Sequence, residues 1–193
     1  LVPDFQHCKY AIYFGASKGH GAGHVACTNM QQAADARIRG MKLVVVDPMS
    51  NFASAKATEW VPIRPGTDAA MGLAMVNVIL NDLGVWDAEY LATKTNAPYL
   101  IGPDRCYVRD ADTKKPLVWD TGRGRAVPYD DADAAGLALE GEYEASGARA
   151  RPAFALLREH VRQFTPEWAE GISTVPAAII RRIAREFATE AMV

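Results

Sequence analysis

The chain has 193 residues, 49% of them hydrophobic and 23% charged, with a formal net charge of −2 at pH 7. That composition fits one packed domain, with or without an insertion, and excludes a disordered tail. It gives no electrostatic basis for wrapping nucleic acid or for docking on an acidic membrane.

No apolar run approaches the ~20 residues that span a bilayer, so no direct membrane insertion is expected. No basic stretch followed by an apolar one opens the sequence, and it begins on Leu-Val-Pro without an initiator methionine. It reads as a fragment whose targeting signal, if any, lies outside it. Cys8, Cys27 and Cys106 are far apart with no Cys-x-x-Cys pair, so neither a disulfide framework nor a zinc or iron–sulfur set is expected.

In chain order, Cys8 to Phe14 is a short β-branched and aromatic run closed by a loop with four glycines, at 15, 19, 21 and 23. A strand and a turn follow from that pattern. Val25 to Arg39 carries neither proline nor glycine and reads as a helix stopped by Gly40. Leu43 to Val46 is continuously apolar, as in a parallel strand covered on both faces. Asn51 to Ala57 can form one or two helical turns. Trp60 to Ile63 is a third strand, and Pro62 places it short or near an edge.

Thr67 to Leu83 is the strongest helical segment, with Thr67 as N-cap and a broad apolar face. Asp87 caps a further short helix to about Thr93. This order predicts an α/β fold: a mostly parallel sheet with helices on both faces, three layers deep and like the dinucleotide-binding folds.

Prolines and glycines then break up residues 96–151, which read as an irregular surface insertion on a single 1–193 domain. Within it, Tyr107–Arg109 and Pro116–Trp119 suggest a β-hairpin. Helical periodicity resumes over Pro152–Phe164 and Pro176–Thr189. Between them, Thr165-Pro166 has a cap followed by proline at the first helical position.

Ligands of open parallel sheets bind where strands end at their carboxyl edge. Three loops leave such ends here. The glycine loop can bring backbone N–H groups close to a pyrophosphate, with the hydroxyl of Ser17 and the charge of Lys18 beside them. It does not fit Gly-x-Gly-x-x-Gly, and a plain surface loop is the competing reading. Asp47 follows a buried strand and can accept from ribose hydroxyls, or can simply cap the turn at Pro48.

In Arg64-Pro65-Gly66-Thr67-Asp68 a turn feeds a helix N-terminus. Asp68 there stabilises the helix dipole by ~0.3–1 kcal/mol, or accepts bidentate from the N1–H and 2-amino donors of guanine. Arg64 can pair with a phosphate.

Lys42-Leu-Val-Val-Val-Asp47-Pro48, Ser54-Ala-Lys-Ala57 and Trp60-Val-Pro-Ile-Arg64-Pro-Gly-Thr-Asp68-Ala-Ala70 resemble the molybdopterin oxidoreductase (dimethyl sulfoxide reductase) superfamily. Phe14-Gly-Ala-Ser17 is similar to its Trp-Gly-x-Asn loop, and Phe164-Thr-Pro-Glu167 matches its layout downstream. The resemblance covers nearly the whole chain, the insertion least.

It implies a domain of the large subunit that holds the guanosine diphosphate part of a molybdopterin guanine dinucleotide. Gly15, Ala16 and Ser17 would lie against ribose and phosphate. Asp68 would recognise guanine and Asp47 contact the guanosine, with these two roles exchangeable, and Lys18, Pro48, Arg64 and Gly66 complete the candidate cofactor-binding set. The partners it implies are the remaining domains of that large subunit, with a further iron–sulfur protein for electron transfer. Molybdenum or tungsten would be held by the full enzyme.

The family's iron–sulfur cysteines and metal ligand lie upstream of the matched region, so no catalytic or metal-binding residue is assigned here. Ser17 replaces the usual asparagine, and Met49 the usual arginine.

His20 and His24 would make a metal pair only on a helix, and His160 reads as a solvated helix residue. The four tryptophans read as core or interface groups, and Arg181, Arg182 and Arg185 as a solvated or glutamate-paired face. The competing functions are a nicotinamide-dependent dehydrogenase and a ligand-free α/β interaction module.

Overall fold

A computed structural model describes residues 3–16, 26–132 and 136–191. The described chain divides into two compact units, 1–83 with 164–193, and 84–163.

The first unit is built on a three-stranded parallel sheet of order β1-β2-β3, with β1 Tyr10–Phe14, β2 Lys42–Val46 and β3 Glu59–Val61. The register runs from Tyr10 opposite Lys42 to Phe14 opposite Val46, and Val46 stands opposite Val61. The uninterrupted Leu-Val-Val-Val of β2 is central, and every one of its four side chains is buried. β3 ends just before Pro62 and lies at the sheet edge, where the missing N–H costs no ladder bond. Cys8 precedes β1 rather than lying inside it, its thiol directed at the Tyr10 carbonyl (3.2 Å).

Strand alternation divides the side chains between two helical layers. Tyr10, Ile12, Val44, Val46 and Val61 pack with α2 (Asp68–Asn77), α5 (Pro166–Ser173) and α6 (Ala177–Ala191). Ala11 and Tyr13 face the other way, against Ala33 and Ala36 of α1 (Ala26–Ile38). The mostly parallel, three-layer α/β arrangement is thus present in this unit. On α6 the buried set Ile180, Ile183, Ala184 and Ala188 follows the 3.6-residue period.

Two local expectations are corrected. Thr67 occupies the N-cap of α2, but its side chain caps no helical N–H; its hydroxyl donates instead to the Arg64 carbonyl at 2.6 Å. The helix does not run unbroken to Leu83, because Val78–Leu83 widens into a π-helical segment. The Thr165 cap is realised, accepting from the Trp168 N–H at 3.1 Å with Pro166 opening α5.

The second unit holds α3 (Ala88–Lys94), α4 (Ala153–Val161) and two small antiparallel sheets. One has the order β4-β8-β7, from Leu100–Ile101, Ala148–Pro152 and Tyr143–Ala145; the other pairs β5 Leu117–Asp120 with β6 Arg125–Pro128. Asp87 caps α3 by accepting from Tyr90 N–H at 2.8 Å.

The regular hairpin is β5–β6. Tyr107–Arg109 contributes only isolated bridges, to Ile101 and Pro116. Pro116 has no N–H to continue a ladder, whereas Thr121-Gly-Arg-Gly124 can turn tightly, with Gly124 at φ 62°. Trp119 stacks on Tyr143 at 4.4 Å between centroids, beside a core of Leu100, Leu117, Ala145 and Ala150. Trp60 and Trp168 are 40% and 37% exposed and so are not core residues.

Candidate functional site

Because β1, β2 and β3 are parallel, the loops that follow them leave the same edge of the sheet. Gly15 continues the ladder one residue beyond β1, donating to the Val46 carbonyl at 2.9 Å, and Asp47 does the same beyond β2, donating to Val61 at 3.2 Å. Gly15 adopts φ 55°, and nothing lies within 4 Å of the position a Cβ would take. Glycine is therefore favoured there by backbone conformation, not by crowding. Ala16 follows it, half-buried. Ser17, Lys18, His20 and His24 lie outside the described residues.

Asp47 is half-buried and already engaged. One carboxylate oxygen accepts from the Met49 N–H at 2.9 Å and the other from the Asn51 amide at 2.7 Å. The Asn51 side-chain carbonyl in turn accepts from the Ala53 and Ser54 N–H groups, so the whole loop 47–54 is fixed through one carboxylate. The Trp60 indole N–H donates to the Asp47 carbonyl at 2.9 Å. Pro48 and Met49 are exposed beyond it.

Arg64-Pro65-Gly66-Thr67 is a tight turn. The Arg64 carbonyl accepts from the Thr67 N–H at 3.3 Å, Pro65 holds the second position, and Gly66 has φ 75°. Proline then glycine at those positions is the composition a type II turn demands. The turn delivers Asp68 to the first position of α2. Among the described residues the Asp68 carboxylate has no hydrogen-bond or ion-pair partner, and neither has the exposed Arg64 guanidinium.

The anchoring of this turn is not visible in the sequence pattern. Arg64 N–H donates to the carbonyl of fully buried Ser173, at the end of α5. The Ser173 hydroxyl donates to the Ala169 carbonyl at 2.7 Å and accepts from Val175 N–H at 3.2 Å. Thr174 follows in the left-handed region at φ 67°. A Ser-Thr pair between two helices is the only sequence trace of this contact.

The structure thus brings Gly15, Ala16, Asp47 and Pro48 to one edge, with Arg64, Gly66 and Asp68 in the loop after the third strand of that edge. Asn51 and Ser173 are supporting residues that carry no motif of their own. Phe14, Met49 and Phe52 add exposed apolar surface in the first two loops, at 38%, 71% and 64%. Among the described residues no group of His, Cys, Asp or Glu could hold a metal, and no helix is long and apolar enough to cross a membrane.

These features define a three-layer α/β unit whose chemically distinctive loops share the carboxyl edge of a parallel sheet. Comparisons with known proteins agree with that class and narrow it. No family model matches the chain. It is 32% identical to a sulfite dehydrogenase subunit of Allochromatium vinosum over 95% of its own length and 20% of the relative's. It is 27% identical to the alpha chain of the perchlorate reductase of Dechloromonas aromatica, over 96% of this chain and 24% of that one.

Among solved structures, acetylene hydratase from Pelobacter acetylenicus superposes with a TM-score of 0.60 at 23% identity. The match covers 99% of this chain and 18% of that one, and it shows the fold. Over nearly its whole length the chain is similar to a segment of these subunits, and it is 24% identical to the molybdopterin-containing subunit of a thiosulfate reductase of Salmonella typhimurium, over 97% of this chain and 17% of that one. It spans about a fifth of the length of these relatives.

Proposed function

We propose that this chain is a cofactor-holding segment of a molybdopterin-dependent oxidoreductase, and that its carboxyl edge binds the guanosine diphosphate part of a molybdopterin guanine dinucleotide. The observation that carries the reading is the Asp68 carboxylate, which has no partner among the described residues and is presented by a Pro-Gly turn beside an edge that also holds Gly15 and Asp47. The metal-bearing pterin end supplies the redox chemistry of the whole enzyme; this chain's residues grip the other end.

The engagement of the two aspartates separates their roles. Reading a guanine edge takes two acceptors side by side, for N1–H and the 2-amino group. Among the described residues nothing engages either oxygen of Asp68, whereas each oxygen of Asp47 already accepts one bond. Asp47 keeps one lone pair per oxygen, which suits single bonds from ribose hydroxyls. Asp68 therefore reads the base and Asp47 the ribose.

Charge places the phosphates. A helix N-terminus attracts anions, but Asp68 already fills that of α2 with a carboxylate. The phosphates belong instead near the Gly15 turn, whose open Cβ position admits close backbone approach, with the Arg64 cation in reach of the nucleotide's charge. The exposed Phe14, Met49 and Phe52 would be covered by other parts of the large subunit. An iron–sulfur protein for electron transfer is the expected further partner.

Calorimetry of the chain with GDP, ADP and NAD tests this. GDP binds most tightly, and Asp68→Asn removes the preference by at least tenfold. Equal affinity for guanine and adenine nucleotides, or an unchanged profile in Asp68→Asn, overturns the reading.

A further inference from the structure

A cleft lies within the 84–163 unit, on residues that the nucleotide reading does not use. It has a volume of about 910 Å3 between the turn after β4, strand β8 and helix α4. Its walls carry Arg105, Arg149, Arg151 and Arg162 against Glu142 and Glu159. Four guanidinium groups against two carboxylates make it positive, in a chain whose formal net charge is −2.

The two glutamates are already matched. Arg149 pairs with Glu142 at 3.2 Å and Arg151 with Glu159 at 2.7 Å. Arg105 stands outside these two pairs and is the informative cation of the lining. Its backbone N–H donates to the Gly102 carbonyl at 3.0 Å, and the Gly102 N–H donates to the Cys106 carbonyl at 2.9 Å. These bonds close a three-residue hairpin loop, Pro103-Asp104-Arg105, whose last residue is left-handed at φ 63°.

Glycine is the residue that this loop position favours. Arginine carries backbone strain there, and among the described residues its side chain has no hydrogen-bond or ion-pair partner to offset it. A strained, unpaired cation on the wall of a positive cleft points to a bound anion.

The lining selects the kind of anion. Among the described residues it includes no Phe, Tyr or Trp and carries His160 as its one aromatic ring, so it offers no broad platform for a nucleobase. Ile101, Pro103 and Leu156 give apolar patches between the charges. A guanidinium fork matches a carboxylate in geometry as well as charge. The cleft is also far larger than a single oxyanion needs. We propose that it is a docking groove for an acidic partner polypeptide, a segment in which Asp or Glu residues alternate with apolar ones.

Fluorescence anisotropy of the full 193-residue chain with a labelled decapeptide of alternating Glu and Leu tests this. The expected result is saturable binding that weakens as salt is raised. An otherwise identical peptide with Gln for Glu binds at least tenfold more weakly. Arg105→Gly lowers affinity for the Glu peptide several-fold while its thermal midpoint stays equal or rises, because the same change relieves strain. Arg125→Gln, on β6 and not in the cleft lining, leaves binding unchanged. Equal binding of the two peptides, unchanged affinity in Arg105→Gly, or an equal loss in Arg125→Gln would overturn the proposal. So would displacement of the peptide by micromolar inorganic pyrophosphate, which would mark a small-anion site instead.

Discussion

The backbone N–H of Arg64 donates to the carbonyl of Ser173 at 2.9 Å, and this bond couples the turn carrying Asp68 to the end of α5. Ser173 is fully buried, and its hydroxyl also holds the Val175 N–H at 3.2 Å. Ser173→Ala strands that N–H in the core, a loss of about 1–3 kcal/mol for an unsatisfied buried donor. Urea unfolding should show the midpoint falling with an unchanged m-value. A stability equal to that of the parent chain would mean that Val175 finds another acceptor and that the clasp is not tight.

The turn itself can be probed from its other side. Gly66 has φ 75° with no heavy atom within 4 Å of the position a Cβ would take, so alanine there meets no steric clash. Only the left-handed backbone is penalised, at about 1–2 kcal/mol. Gly66→Ala should therefore lower stability by about that amount in thermal unfolding. It should weaken guanine nucleotide binding more than Gly72→Ala, which lies inside α2. An equal effect of the two changes would separate the turn from the proposed site.

How far the sequence leads can be judged residue by residue. The apolar run of β2, the edge position forced by Pro62 and the Thr165-Pro166 helix start were all legible, because each depends on local period or on proline's missing N–H. The π-helical segment was not. Asn77, the residue just before it, is buried with its amide donating to the Phe164 carbonyl at 3.2 Å, a tertiary contact that leaves no local pattern in the sequence. Thr67 looked like a cap because its type and position are right. The preceding Pro-Gly turn offers its hydroxyl a nearer acceptor, the Arg64 carbonyl.

In the candidate site, sequence could nominate Asp47 and Asp68 by type and spacing. It could not show that one carboxylate is engaged and that the other has no partner among the described residues. Asn51 and Ser173 act through backbone groups, which leave no distinctive motif.

The α5–α6 contact carries a pH dependence. Arg181 donates to both oxygens of Glu167, at 2.5 and 2.9 Å, and that hydrogen bonding is the main cause that lowers the Glu167 carboxyl to about 2. A depressed folded-state pKa stabilises the fold above the unfolded value of 4.5, and the contribution is lost as pH falls from there through about 2. Carbon-detected NMR titration should place the Glu167 midpoint near 2, moving up toward the usual carboxylate range in Arg181→Gln. The pair is solvent-exposed, so its influence should shrink as salt is raised. A midpoint that does not move in the variant would assign the shift to the backbone of α5 instead.

Asp47 and Asp68 should respond unequally to the same isosteric change. In Asp47→Asn the oxygen that bonds Met49 N–H can be retained, but the new NH2 then faces the Asn51 NH2, donor against donor. Asn51 cannot simply turn over, because its carbonyl already accepts from Ala53 and Ser54. A charge-assisted bond is lost without replacement, and the half-buried loop should lose about 1–2 kcal/mol. Among the described residues Asp68→Asn removes no hydrogen bond and only weakens a helix-dipole contact, so its stability should stay within about 0.5–1 kcal/mol of the parent. Paired denaturation curves settle the contrast. If Asp68→Asn proves as damaging to the fold as Asp47→Asn, its carboxylate has a structural partner and is not held in reserve for a ligand.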